Sequence, residues 1–273
     1  MEKIEFRTIV CGIDTSPQSL DAARQALAVG GGDTAYWGVS VWDPALAFHA
    51  GIHMAEVKKD LREESQGALQ TLSDELPQVQ PLLVQGKELA GLLGAISNLE
   101  ADLVCVGASG SSRPAGIVFG SVATALAHHA PCSVLVARKA KSFPGVIVHA
   151  NDGSVESLEA GRVAARIAGQ HATTLVTLHI DEGRGEGVSE EAAEMMDVAG
   201  VEPILRVEQG SPHRRIVEIA NEIGASLIVM GSRGQTGLAS LGSVSERVAH
   251  RADCSVLIVR QPSRPVFGAD ALG

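Results

Sequence analysis

Gly107, Gly110, Gly120 and Ser121 follow the spacing G-x2-G-x9-G-S inside GASGSSRPAGIVFGSV, residues 107–122, a stretch with one arginine and no lysine. Glycines so spaced let a ligand come close to backbone, either by taking positive φ or by removing a side chain. A Gly-Ser pair at the start of a helix directs unpaired N–H groups outward, with the serine expected to cap it. Such a terminus attracts anions, each charge contributing about 0.3–1 kcal/mol. The chemistry implied is phosphate binding by main chain. The same glycines could also do no more than make a tight turn.

Two better-known phosphate loops do not fit. A Walker loop needs GxxxxGK[ST], and the lysine is missing. A dinucleotide fingerprint needs GxGxxG after the first strand, where the chain reads GIDTSP. A net charge of −10 argues against a duplex nucleic-acid partner, because that binding relies on Lys and Arg neutralising phosphates. His49, His53 and Glu56 could share a helical face and hold a metal, but solvent exposure is the expectation and no metal site is assigned. No GxSxG elbow accompanies the serines and histidines, so no catalytic residue is assigned either. His128, His129 and His250 read as last-turn histidines favoured by the helix dipole.

The elements that must position the glycine stretch occur twice. Gly120 to Arg138 laid over Gly242 to Arg260 gives 11 identities in 19 positions. IDTSPQSLDAA from Ile13 matches NDGSVESLEAG from Asn151 in the same way. The chain is two copies of a unit of roughly 135 residues, the usual size of a domain. The units are placed at residues 1–138 and 146–262, with the linker KAKSFPG at 139–145 and a tail at 263–273. Each alternates apolar runs such as TIVCGI, DLVCVG and CSVLVAR with amphipathic helices such as SLDAARQALAV and ELAGLLGAISNL. Strands apolar throughout are buried on both faces, so each unit is an α/β, doubly wound, Rossmann-like domain with a five-stranded, mostly parallel sheet. Ligands of such sheets lie beyond the carboxyl ends of the strands, where the glycine stretch begins.

Cys11, Cys105, Cys132 and Cys254 each lie in or beside an apolar run without metal-type spacing, which predicts buried, reduced thiols. MEKIEFRTIV has no apolar signal region, and no apolar run approaches the ~20 residues of a membrane span. A cytoplasmic protein is expected.

The glycine spacing, the aspartate after the first strand (Asp14 in DTS, Asp152 in DGS) and the tandem copy together resemble the universal stress protein family in its two-domain form. Only the tail PSRPVFGADALG lies outside the resemblance. The resemblance implies ATP or another adenine nucleotide across the strand ends, with Asp14 near the adenine or ribose. It places Gly12 and Val41 beside the base, and Gly107, Gly110, Gly120, Ser121 and Val122 around phosphates and ribose, with magnesium bridging the phosphates. Asp14 and Asp152 could instead be turn or N-cap residues.

The second copy departs from the pattern, with seven residues instead of nine between Gly234 and Gly242. Two missing residues remove up to roughly 7 Å of reach. A second site would use Asp152, Gly231, Arg233, Gly234, Gly242, Ser243 and Val244, with Arg233 able to pair with phosphate, and its occupancy is open. The resemblance further implies a stress-response or regulatory module with a protein partner, capable at most of slow ATP hydrolysis or self-phosphorylation. The alternative is a nucleotide-independent interaction scaffold of the same fold. The last strands, CSVLVAR and CSVLIVR, should join the copies as an internal pseudo-dimer, with assembly into homodimers left open.

Overall fold

A computed structural model of the chain describes residues 6–110, 119–140, 142–181, 201–232 and 241–260. The first copy runs β1 (Thr8–Gly12), α1 (Pro17–Val29), β2 (Ala35–Trp42), a 3-10 segment (Pro44–His53), α2 (Met54–Glu75), β3 (Gln80–Gln85), α3 (Glu88–Asn98), β4 (Leu103–Gly107), α4 (Ser121–His129) and β5 (Ser133–Ala137). The second runs β6 (Ile147–Asn151), α5 (Val155–His171), β7 (Leu175–Asp181), β8 (Ile204–Gln209), α6 (Pro212–Glu222), β9 (Leu227–Gly231), α7 (Ser243–Arg251) and β10 (Ser255–Val259).

All of these strands lie in one sheet of order β3-β2-β1-β4-β5-β10-β9-β6-β7-β8. Within each copy every described pairing is parallel, and the two copies meet where β5 and β10 pair antiparallel through Leu135 and Leu257. The sheet edges that would otherwise stay open at the last strands thus close on one another. The apolar character of the central strands follows from this position. Every residue of β5, β6, β9 and β10 is buried, whereas the outermost strands β3 and β8 carry exposed residues.

Helices cover both faces. One core joins Ala23, Ala26 and Leu72 of α1 and α2 to Val163 and Ile167 of α5 across the whole sheet. On the opposite face, Leu92 and Ile96 of α3 pack with Leu126 of α4, and Ile216 and Ile219 of α6 pack with Val248 of α7. Both first helices begin on a serine cap: Ser16 and Ser154 accept hydrogen bonds from the backbone N–H groups of Ser19 and Ser157.

Strand order reverses beside β1, which pairs with β2 on one side and β4 on the other, and β6 sits likewise between β7 and β9. The crevice beyond the carboxyl ends of these strands is where a doubly wound sheet takes ligands. The residues following β1 and β4 are Ile13–Asp14 and Ala108–Gly110.

Candidate functional site

Asp14 leaves β1 and turns back on its own chain. Its Oδ1 accepts from the Ser16 N–H at 2.9 Å and from the Ser16 hydroxyl. Asp152 repeats the turn, accepting from the Ser154 N–H at 3.0 Å and from its hydroxyl at 2.6 Å. The aspartates are therefore turn residues, and the serines two positions on are the helix caps. This geometry fixes each carboxylate at a strand end.

The glycine residues of the first copy close around Asp14. A β-carbon built on Gly110 would stand 2.8 Å from Asp14 Oδ2, and one on Gly107 would stand 3.0 Å from Gln18 Cβ in α1. Neither glycine has positive φ, contrary to one expectation from the sequence. They are needed because β4 and its exit pass close to α1 and its turn. Gly12 is similarly tight, a β-carbon there falling 3.0 Å from Val106 Cγ1. Val41 lies near the end of β2, pinned beneath Gly91 of α3.

Past residues 111–118, which lie outside the described segments, the chain returns at Phe119. The Gly120 N–H donates to the Ala108 carbonyl at 2.6 Å, so the loop closes directly over the end of β4. Gly120, in extended conformation, is the N-cap of α4, and Ser121 is its first helical residue. Gly242 and Ser243 hold the same positions at α7. The serines are therefore not the caps, a correction with a simple cause: the cap needs non-helical backbone, which the glycine adopts one residue earlier. Val122 packs partly buried behind the opening turn.

The second copy reproduces the frame. Gly242 N–H donates to the Ser232 carbonyl at 2.7 Å, and a β-carbon on Gly231 would stand 2.9 Å from the backbone of Glu156. Ser243 and Val244 open α7 as Ser121 and Val122 open α4. Arg233 and Gly234 lie outside the described residues. The walls differ, however. By strand register, Ala150 stands for Gly12, and Glu208 of β8 stands for Val84 of β3. Glu208 pairs with Arg206 at 2.7 Å and with Arg215 of α6 at 2.9 Å, tying β8 to α6 by charge where the first copy uses apolar contact.

Sequence reasoning passed over two groups at the first site. Gln18 lies beneath Gly107, and Glu88 opens α3 close enough to Asp14 to feel its charge. Partial desolvation first, and the Asp14 carboxylate second, push the carboxyl of Glu88, a residue still exposed to solvent, above its ordinary range. His53 and Glu56 are exposed and 3.0 Å apart, and among the described residues no group of three or more His, Cys, Asp or Glu is placed to hold a metal. No helix among the described residues is long and apolar enough to cross a membrane. All four cysteines are free and buried, as their surroundings in the sequence predict.

The sequence profile of the universal stress protein family matches residues 5–138 and again 145–260. A universal stress protein of Mycolicibacterium smegmatis is 28% identical, with 92% of this chain and 96% of the relative covered. One from Methanocaldococcus jannaschii is 32% identical over 47% of this chain and 89% of its own. Among solved structures, a universal stress protein from Archaeoglobus fulgidus superposes with a TM-score of 0.71 at 21% identity, covering 94% of this chain and 97% of that one, which shows the shared fold.

Proposed function

Because the chain belongs to the universal stress protein family, we propose that its N-terminal copy binds ATP and that the protein acts as a nucleotide-responsive stress or regulatory module. One juxtaposition supports this above all: the Asp14 carboxylate lies against Gly110 where the opening of α4, Gly120 to Val122, is tied back to the end of β4. The helix start offers N–H groups and a positive dipole end to phosphate. The carboxylate suits a hydroxyl or amino donor of the nucleoside better than a phosphate. Gly12 and Val41 lie beyond it at the ends of β1 and β2, on the side assigned to the base.

Magnesium bridging the phosphates would offset the charge that Asp14 and Glu88 place nearby. In this role the protein works in the cytoplasm, and its nucleotide state is read by a protein partner. The C-terminal frame is built alike at Asp152, Gly231, Gly242 and Ser243, but its shorter loop and charged β8 wall favour the N-terminal copy as the working site.

Calorimetric titration with ATP in magnesium buffer tests this. Saturable heat with one nucleotide per chain is expected. No heat and no thermal shift at millimolar ATP would overturn it and leave the scaffold reading.

A further inference from the structure

Two of the helices that begin at the N-terminal site, α1 and α4, end on residues of the other copy. The last carbonyls of an α-helix have no partner within it, and a cation there also meets the negative end of the dipole. At the end of α4, the Arg260 guanidinium donates to the Ala130 carbonyl at 2.7 Å, to Cys132 at 3.3 Å and to Ala127. The Arg260 backbone N–H also donates to the Ser133 hydroxyl at 3.1 Å. At the end of α1, Arg166 donates to the Val29 carbonyl at 2.9 Å and His171 to that of Ala28 at 2.7 Å.

The front of α4 is tied across as well. Phe119, immediately before the cap Gly120, packs on the His250 ring with centroids 4.2 Å apart. In return Arg138 reaches from the first copy to the end of α7, donating to the Ala249 carbonyl at 2.5 Å.

We propose that the nucleotide site of the N-terminal copy is positioned by the C-terminal copy, with Arg260 as the positioning residue that holds α4 from its far end. Arg260 holds α4 at the end opposite its opening turn. It sits about 13 Å from the opening turn, the length of nine helical residues. A helix this short moves as a unit, so an unanchored end shifts the N–H groups at the other. Affinity at one copy is thereby set by the second, and linkage makes the effect reciprocal. This rests on the nucleotide reading of the site.

The test compares the full chain with Arg260→Met, Arg260→Lys and the exposed control Arg24→Met. ATP titration is expected to weaken about tenfold in Arg260→Met, to recover in part in Arg260→Lys, and to match the unmodified chain in Arg24→Met. Hydrogen exchange without nucleotide should rise at residues 120–124 in Arg260→Met and stay unchanged in the outer strands of the second copy. A merely structural arginine would raise exchange throughout and leave affinity unchanged in the folded fraction. Unchanged affinity together with unchanged exchange at 120–124 in folded Arg260→Met overturns the proposal. Should that variant not fold, Arg260→Lys decides by the same two readings. If the unmodified chain binds no ATP, the nucleotide reading fails, and exchange at 120–124 still reports whether Arg260 positions α4.

Discussion

Gly110 and Asp14 approach so closely that a β-carbon on the glycine would stand 2.8 Å from the Asp14 Oδ2. Since Oδ1 is held by Ser16, the carboxylate cannot swing away without breaking the turn that leads into α1. Gly110→Ala should displace it. ATP affinity, read by calorimetry, is expected to fall tenfold or more, while loss of the Asp14–Ser16 turn lowers stability by only about 1 kcal/mol.

Acid should weaken the fold through His149. This ring is fully buried in β6, donating from Nε2 to the Ser157 carbonyl at 2.8 Å, with the Thr177 hydroxyl 3.4 Å from Nδ1 and Gly161 leaving room for its face. Burial lowers its pKa from 6.5 to about 4. The unfolded chain therefore takes up a proton at a pH where the folded one does not. Stability is complete above pH 6.5, declines as pH falls toward 4, and levels off below that. The loss is on the order of 3 kcal/mol. Urea unfolding across this window should show it, and His149→Cys, which installs the type found at Cys11, should flatten that part of the profile.

Ser255 is the hub of the junction between copies. Its hydroxyl donates to Gln25 Oε1 at 2.7 Å and accepts from the Arg138 N–H at 2.9 Å, all of it buried. Ser255→Ala strands both partners away from water, and urea unfolding should report a loss of about 1–3 kcal/mol.

The cysteines should be silent in the native protein. Burial pushes the Cys132 thiol up to about 12 and that of Cys254 to about 11, and Cys105 rises well above its ordinary value for the same reason. Thiolate is the reactive form. A disulfide reagent at pH near 8 should label no cysteine until denaturant is added, and then all four.

The repeat, the alternation of strands and helices, and the joining of the last strands were all legible in the sequence. Val134 to Val136 and Val256 to Ile258 are apolar on both faces, which only a central position in a covered sheet explains. Local detail was less accessible. The spacing around Gly120 and Ser121 marks a helix start but not which residue is the cap, since that depends on a single backbone angle. The spacing of Gly107 and Gly110 is compatible with positive φ or with close approach, and it is close approach to Gln18 and Asp14, residues some 90 positions away, that selects them. The 3-10 segment Pro44–His53 has no clear periodicity and was not anticipated. Arg260 matches Arg138 in the repeat, but its role and that of Phe119 are not legible, because their partners belong to the other copy.

The central claim is that the N-terminal glycine frame holds the nucleotide. Gly120 tests it cleanly, because among the described residues a β-carbon there meets the Ala108 carbonyl at 3.4 Å and the Ser109 Cα at 3.8 Å, ordinary contacts that the fold can accept. Native mass spectrometry of the full chain with ATP should show one added nucleotide per chain, and none in Gly120→Val at the same unfolding temperature. An adduct of equal abundance in both proteins would contradict the account.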